Sequence, residues 1–292
     1  MHTAIQVVID GIILGGFYAL MAQGLAVIFG IMRVINLAHG EFLVIGAYLA
    51  WVLHEHLGID VIAALPILIV AGFVIGWAVS RALIIPVLER HELMPLLVTF
   101  GLAAVIQGIL AWYFTTTPRM TTAAYSDSVL AFMGYSVSVA RVVMLVAAIV
   151  LLGLFALFLN YTKTGKAMRA AAENREAARI VGIDITRIHC AAFGIGAAAA
   201  VAAGGLFSVT QGFYPFSGPL FTLKAFVIII LGGRSIQGTL VAAMFIGLVE
   251  SALSGYVPNI GTGLGTAAAF VLVVVALAVR PTGLFQLQGS KA

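Results

Sequence analysis

Most of the groups equipped for chemistry in this 292-residue sequence fall in a few places. Asn36, His39 and Glu41 put an amide, an imidazole and a carboxylate within six positions, with Gly40 between the last two. Ionisable groups inside a bilayer are costly and face a bundle interior or a water-filled cavity. The cluster therefore reads as a pathway or hinge where the backbone is interrupted, or else as a solvated turn beside Arg33. Glu250 stands alone in an apolar run and reads as a pathway carboxylate or as a satisfied core acid. Gly232-Gly233-Arg234-Ser235 is a second polar break, with Gly232, Gly233 and Ser235 as further pathway or hinge candidates. His54-Glu55-His56 and His91-Glu92-Leu93-Met94-Pro95 share letters with the zinc-protease helix, but neither places a second His at i+4. His39 has no suitably spaced His or Cys partner, and Cys190 is the sole cysteine. No G-x-S-x-G and no phosphate-binding G-x-x-x-x-G-K-[ST] occurs. No catalytic residue, metal or nucleotide site is expected in this chain.

A different chemistry belongs to Thr164–Gly182. Ala, Arg, Glu and Met are strong helix formers, Thr164 suits an N-cap and Gly182 a C-terminal stop. Arg169 and Glu173 at i,i+4, and Glu176 and Arg179 at i,i+3, meet along a helix surface. Asp184 suits the N-cap of the next helix. The segment predicts a charged, small-residue helix of about four turns outside the bilayer. Tethered at both ends by apolar spans, it is built to dock into a partner's groove and move with it.

The rest of the chain must hold these residues in a membrane. It is 62% hydrophobic and 9% charged, with mean hydropathy +1.15, against a usual 45–50% and about 25%. That excludes a cytosolic enzyme, a nucleic-acid binder and a disordered chain. Charge-free windows of spanning length are Gly11–Met32, Val61–Ser80, Leu96–Pro118 and Val142–Thr162. Cys190–Leu223 and Ser251–Val279 are long enough to include a turn. Phe42–Leu53 is short unless Asn36, His39 and Glu41 also enter the bilayer, and Ala225–Gly233 is shorter still. The fold class is an all-α polytopic membrane bundle of roughly eight or nine elements, one or two of them short or broken. Residues 1–292 form a single domain.

Residues 161–189 carry six basic and three acidic side chains, so they are assigned to the cytoplasm. Arg81–Pro95 falls on the same side and residues 115–141 on the other, which puts the N-terminus outside. Lys224 and Arg234 are expected to snorkel to the interfaces. Gly11/Gly15, Gly72/Gly76 and Gly261/Gly265 form GxxxG pairs, read as packing within the bundle. Residues 38–42 and 236–240 each set a polar-glycine break beside an apolar helix, a faint internal echo.

Asn36-Leu37-Ala38-His39-Gly40-Glu41-Phe42, followed by Gly46-Ala47-Tyr48, resembles the N-terminal signature of the H-type permease subunit of branched-chain amino acid ABC transporters. Gly165–Glu173, with Gly182-Ile183, resembles that family's cytoplasmic coupling segment. Glu176-Ala177-Ala178 with Gly182 matches the EAA-x-x-x-G loop of import permeases. Lys224-Ala225-Phe226, Gly232-Gly233 and Arg280-Pro281-Thr282-Gly283-Leu284 fit the family's last third. Where the family has Gly-Gly-x-Gly-Ser-x-x-Gly-Ala, this chain is one Gly short and carries Arg234 nearby.

The resemblance implies a multi-pass permease subunit of an importer in the bacterial inner membrane. Two separate ATPase subunits, holding ATP and Mg, would dock on Gly165, Lys166, Arg169, Ala170, Glu173, Glu176, Ala177, Ala178 and Gly182. It also implies a second permease subunit, a periplasmic or lipid-anchored binding protein, and lipid, with no nucleic acid and no cofactor in this chain. Branched-chain or related amino acids are the implied cargo. Urea, short amides and aromatic acids are carried by similar permeases and remain alternatives. A stand-alone carrier using Glu41 or Glu250 as its ion site, and an intramembrane enzyme, are the competing classes.

Overall fold

A computed structural model describes residues 2–256 apart from 89, 92, 133–134 and 234–235, together with 267 and 271. Gly261, Gly265, Ser235, Arg234 and the Arg280–Leu284 motif lie outside the described residues. The helices are α1 (His2–Met32), α2 (His39–Leu57), α3 (Val61–Val79), α4 (Met94–Phe114) and α5 (Val139–Tyr161). They continue with α6 (Lys163–Glu173), α7 (Arg175–Ile180), α8 (Ile185–Ser208), α9 (Gly218–Gly232) and α10 (Ile236–Tyr256). Strands β1 (Val129–Phe132) and β2 (Tyr135–Ser138) pair antiparallel in a hairpin that the sequence reading did not anticipate.

Seven helical segments are long and apolar enough to cross a membrane, and together they make the chain a polytopic helical membrane protein. Helix α2 is not among them, because His39, Glu41, His54, Glu55 and His56 depress its hydropathy. Helix α1 begins well before Gly11 and Asp10 is partnered there: Gln6 of the same helix donates to its carboxylate at 3.1 Å and Arg141 of α5 at 3.2 Å. Asp60 caps α3 through Ile62 N, Gly58 closes α2 in the left-handed region at φ 65°, and Pro95 and Pro219 lie in first turns where no N–H is needed. Burial, with the Asp60 carboxylate beside it, pushes the Tyr125 phenol up to about 12, so it stays a donor to Asp60.

Two faces follow from the contacts. Gln6 of α1 donates to Ser136 O, which sets the start of α1 beside the hairpin. At the other end Arg175 of α7 donates to Ile31 O and Met32 O, so α1 finishes at the α6–α7 face. Helix α8 leaves that face at Asp184 and ends at Ser208, whose carbonyl accepts from Thr121 N on the hairpin side. Helices α1 and α8 therefore run in opposite directions. They cross where Gly24 and Gly196 meet backbone to backbone; a Cβ at Gly24 would lie 2.5 Å from Gly196 O, and one at Gly196 2.6 Å from Gly24 O. The two helices thus pack with backbone against backbone at their crossing.

The neighbours obey the same relation. After α1 the chain turns at Arg33, with φ 56°, and runs back into the bundle before α2 begins. After α8 it turns back through 209–217 before α9 begins. Gly11 and Gly15 of α1 seat α10 at Leu248 and Met244, while Gly72 and Gly76 of α3 seat α8 at Ala198, Val201 and Ala197. Both GxxxG pairs thus pack within the chain, as small-residue stripes do when van der Waals contact must hold helices in lipid. The opposite courses of α1 and α8 and the matching seams α1–α10 and α3–α8 give segments α1–α3 and α8–α10 the arrangement expected of an inverted-topology repeat. Helices α4 and α5, with largely exposed apolar faces, stand outside it.

Candidate functional site

The start of α2 lies deep in the bundle. His39 Nε2 is 2.9 Å from Met21 O, well inside α1, and Asn36, His39 and Glu41 are completely buried. The cluster is therefore not a solvated turn beside Arg33. The six residues 33–38 are non-helical, so their backbone needs partners from elsewhere. Thr99 of α4 accepts from Leu37 N and lies within donating distance of Ile35 O, both at 3.2 Å. Asn36 Oδ1 accepts from Ala38 N. Thr222 of α9 accepts from Gly40 N at 2.8 Å and faces Leu37 O at 3.3 Å.

The two broken segments abut here. Gly40 lies so close to the Gly218 carbonyl that it could not carry a side chain, and the buried Glu41 carboxylate occupies the space a Gly218 Cβ would need. Gln107 donates to Glu41 Oε1 at 2.7 Å, while Oε2 has no partner among the described groups. Glu41 sits in the first turn of α2 and against the first residue of α9, the positive ends of two helix dipoles. The carboxylate thus lies between two helix starts. Neither Thr222, Gln107 nor Thr99 carries a signal in the sequence that would single it out.

The second site surrounds Glu250. Lys224 Nζ approaches Glu250 Oε1 at 2.8 Å and Oε2 at 3.1 Å, and Tyr18 at 2.6 Å, while the Tyr18 hydroxyl reaches Glu250 Oε2 at 2.7 Å. Glu250 is thus ion-paired and hydrogen-bonded inside the bundle. The expected snorkelling of Lys224 is corrected: its ammonium turns inward because two acceptors inside the bundle are within its reach. A cavity of about 800 Å³ opens beside the cluster, with Phe17, Phe207 and Phe221 on its walls and Gln6, Asp10 and Arg141 toward the hairpin. Gly232 packs against Gly238 and Thr239, and Gly233 ends α9 at φ 69°. Among the described residues no group of three or more His, Cys, Asp or Glu is placed to hold a metal.

The third site lies outside the spans. The expected single helix over 164–182 is two helices, α6 and α7. Asn174 is extended at φ −145°, and its side chain caps α7 by accepting from Glu176 N and Ala177 N. An Asn able to take two N–H groups competes with helix continuation. The first cap is Thr162, which accepts from Gly165 N, and not Thr164. Arg169 reaches back to Asn160, and no Arg169–Glu173 or Glu176–Arg179 ion pair is formed among the described residues. Asp184 caps α8 as expected, and Gly182 stops α7 at φ 85°.

Gly165 and Ala178 are buried, Gly165 against the end of α5, while Lys166, Arg169, Ala170, Glu173, Glu176 and Ala177 face outward. Ile180 and Val181, which sequence reasoning passed over, are 85% and 76% exposed and give this charged surface an apolar tip. The Arg81–Pro95 region meets the same face, with Leu88, Leu93 and Pro95 lining a cleft beside Ala171 and Arg175.

Residues 7–279 match the family model described as branched-chain amino acid transport system / permease component. The chain is 30% identical over 301 residues to the high-affinity branched-chain amino acid transport system permease protein LivH of Escherichia coli, covering 96% of this chain and 94% of the relative. It is 28% identical to the corresponding permease protein BraD of Pseudomonas aeruginosa, over 96% and 95% of the two chains. A permease protein named LivM, of Salmonella typhimurium, is 31% identical over 81% of this chain and 61% of the relative. No solved structure gives a significant match.

Proposed function

The chain belongs to the family of branched-chain amino acid transport system permease components, and from that membership we propose that it is the membrane-spanning permease subunit of an ATP-driven importer of branched-chain or related amino acids in the bacterial inner membrane. The observation that carries this reading is the α6–α7 surface: charged, apolar at its tip, and tied by Arg175 to the last carbonyls of α1. A pair of ATPase subunits docks there, ATP and Mg being held by those subunits. The basic character of residues 161–189 favours a cytoplasmic α6–α7 face, which leaves the hairpin face to a substrate-binding protein. A second permease completes the pathway, in keeping with the likeness to both LivH and LivM proteins.

Motion of the docked surface has a short route inward. Arg175 holds Ile31 O and Met32 O, the next residue is the reversed Arg33, and the six residues 33–38 lead to the polar crossing at Gly40 and Gly218. A displacement of α7 thus reaches the deep start of α2 without passing through a lipid-facing helix.

The test uses the assembled complex in nanodiscs. Ile180→Asp with Val181→Asp should cut ATPase co-purification about tenfold or more, as loss of a buried apolar anchor does. Arg175→Ala should keep the ATPase bound but lower its stimulation by loaded binding protein about tenfold, since hydrogen bonds from a charged donor are worth roughly 1.5–3 kcal/mol. Normal assembly and stimulation in both variants would overturn the assignment of α6–α7.

A further inference from the structure

The cavity beside Lys224 runs along α1 from Gln6 to Tyr18, a length of about 18 Å at the helical rise. It carries charge at two levels. Arg141 and Asp10 pair toward the hairpin, and Lys224 and Glu250 pair at the deep end, where their side chains are only 12% and 11% exposed. Phe17, Phe207, Phe221 and Met144 form its apolar wall, and Thr210, Gln211, Ser217, Ser251 and Ser254 add neutral polar groups. A small-ligand pocket is mostly apolar with a few convergent polar groups, and spans roughly 300–1,000 Å³.

A Lys–Glu pair in an apolar bundle is an expensive way to fill space. Replacing such a pair with well-packed hydrophobic residues is often neutral or stabilising, and ionisable groups at this depth commonly face a water-filled cavity with a job to do. We infer that Lys224, Glu250 and Tyr18 form a recognition site, within this one chain, for a zwitterion bearing an apolar side chain. The inference rests on the importer reading and specifies where that importer's cargo meets this subunit.

The ligand class follows from charge balance. Lys224 presents an ammonium with three donors, held by Glu250 and by the Tyr18 hydroxyl and lying 4.9 Å from the Tyr18 ring centre. A molecule carrying a carboxylate and an ammonium on one carbon lies across this pair, its carboxylate toward Lys224 and its ammonium toward Glu250. It exchanges one ion pair for two and adds no net charge. A lone anion or cation leaves an unbalanced charge in a low-dielectric site. A neutral amide or urea has nothing to set against the existing pair. The aromatic walls then take the apolar side chain. Aromatic acids, short amides and urea are disfavoured by the same reasoning.

The experiment places a reporter in the wall. Leu14, which lines the cavity one turn from Tyr18, becomes Leu14→Cys in the full complex in nanodiscs; Cys190 is buried and contributes little background. Reaction with a water-soluble methanethiosulfonate is timed with L-leucine, L-leucinamide or 4-methylpentanoate present. Leucine should slow labelling about fivefold or more, and the two singly charged analogues less than about twofold, the gap reflecting the unbalanced charge. Lys224→Gln should abolish the protection, and Tyr18→Phe, which leaves the ion pair in place, should weaken it. Equal protection by all three compounds, absence of protection by leucine, or full protection in Tyr18→Phe and Lys224→Gln would each overturn the inference. Stimulation of ATP hydrolysis by loaded binding protein, read on the unmodified complex from the same preparation, reports separately on the importer reading. Stimulation without leucine protection sinks the site alone; absent stimulation sinks the importer reading whatever the labelling shows.

Discussion

Segments α1–α3 and α8–α10 share a path but differ in how their second helices are seated. Helix α2 lies on α8 with backbone against backbone: Gly46 abuts the Val201 carbonyl and Gly204 abuts the Leu43 carbonyl, leaving no room for a Cβ at either. Its counterpart α9 meets α1 through Phe221, Lys224, Phe17 and Tyr18, and the joint opens into a cavity of about 800 Å³. The outer seams, α1 on α10 and α3 on α8, are glycine-tight in both halves. One joint of the repeat has been closed and its mate held open by large side chains and an ion pair. A symmetric scaffold gives rigidity, and the departure from symmetry is where a ligand could be met.

Three substitutions bear on this contrast. The largest effect is expected from Gly204→Val, which drives a branched side chain into the Leu43 carbonyl. Overpacking usually costs roughly 1–3 kcal/mol, and backbone yields less than a side chain, so the yield of monodisperse protein in detergent should collapse. A stable Gly204→Val protein would break the idea of a closed joint. Thr222→Val, near-isosteric at the crossing, removes the acceptor of Gly40 N and strands a buried donor. The expected loss is about 1–3 kcal/mol, read as a lowered unfolding midpoint, with Thr222→Ser recovering most of it. Arg141→Ala at the cavity mouth should be mildest. The Asp10 pair is partly exposed, so a change of less than about 1 kcal/mol is expected in the same melt. A loss as large as that of Thr222→Val would show that the open joint depends on its rim.

Much of the scaffold was legible as lengths of apolar sequence. Val61–Ser80 became α3 (Val61–Val79), and the short Phe42–Leu53 became a full helix once His39 and Glu41 were taken inside. The Asp184 cap, the Gly182 stop and the internal role of two GxxxG pairs were also readable, since each depends on local geometry. What stayed hidden depends on partners distant in sequence. Asn174 breaks the expected 164–182 helix because its own side chain outbids a helical turn, which composition does not weigh. Lys224 was expected at an interface because hydropathy assigns it a depth but no neighbour; Tyr18 and Glu250 are 206 and 26 positions away. At the site, Asn36, His39, Gly40 and Glu41 were found by type, whereas Gln107, Thr99 and Thr222, which hold them, are ordinary residues in apolar helices.

The seating of α2 also bears on the order in which the chain is made. This helix lacks the hydropathy that lets the other spans partition into lipid unaided, and while His39 meets Met21 of α1, Glu41 and Gly40 find their partners, Gln107 and Thr222, in later chain. Gly40 and the Thr222 that receives its N–H are 182 positions apart. Synthesis therefore delivers the least lipid-soluble element second, Gln107 two helices later, and Thr222 only near the end. The first hairpin cannot reach its final arrangement until α8 and α9 have emerged, and the insertion of this protein is completed backwards, from its last third onto its first.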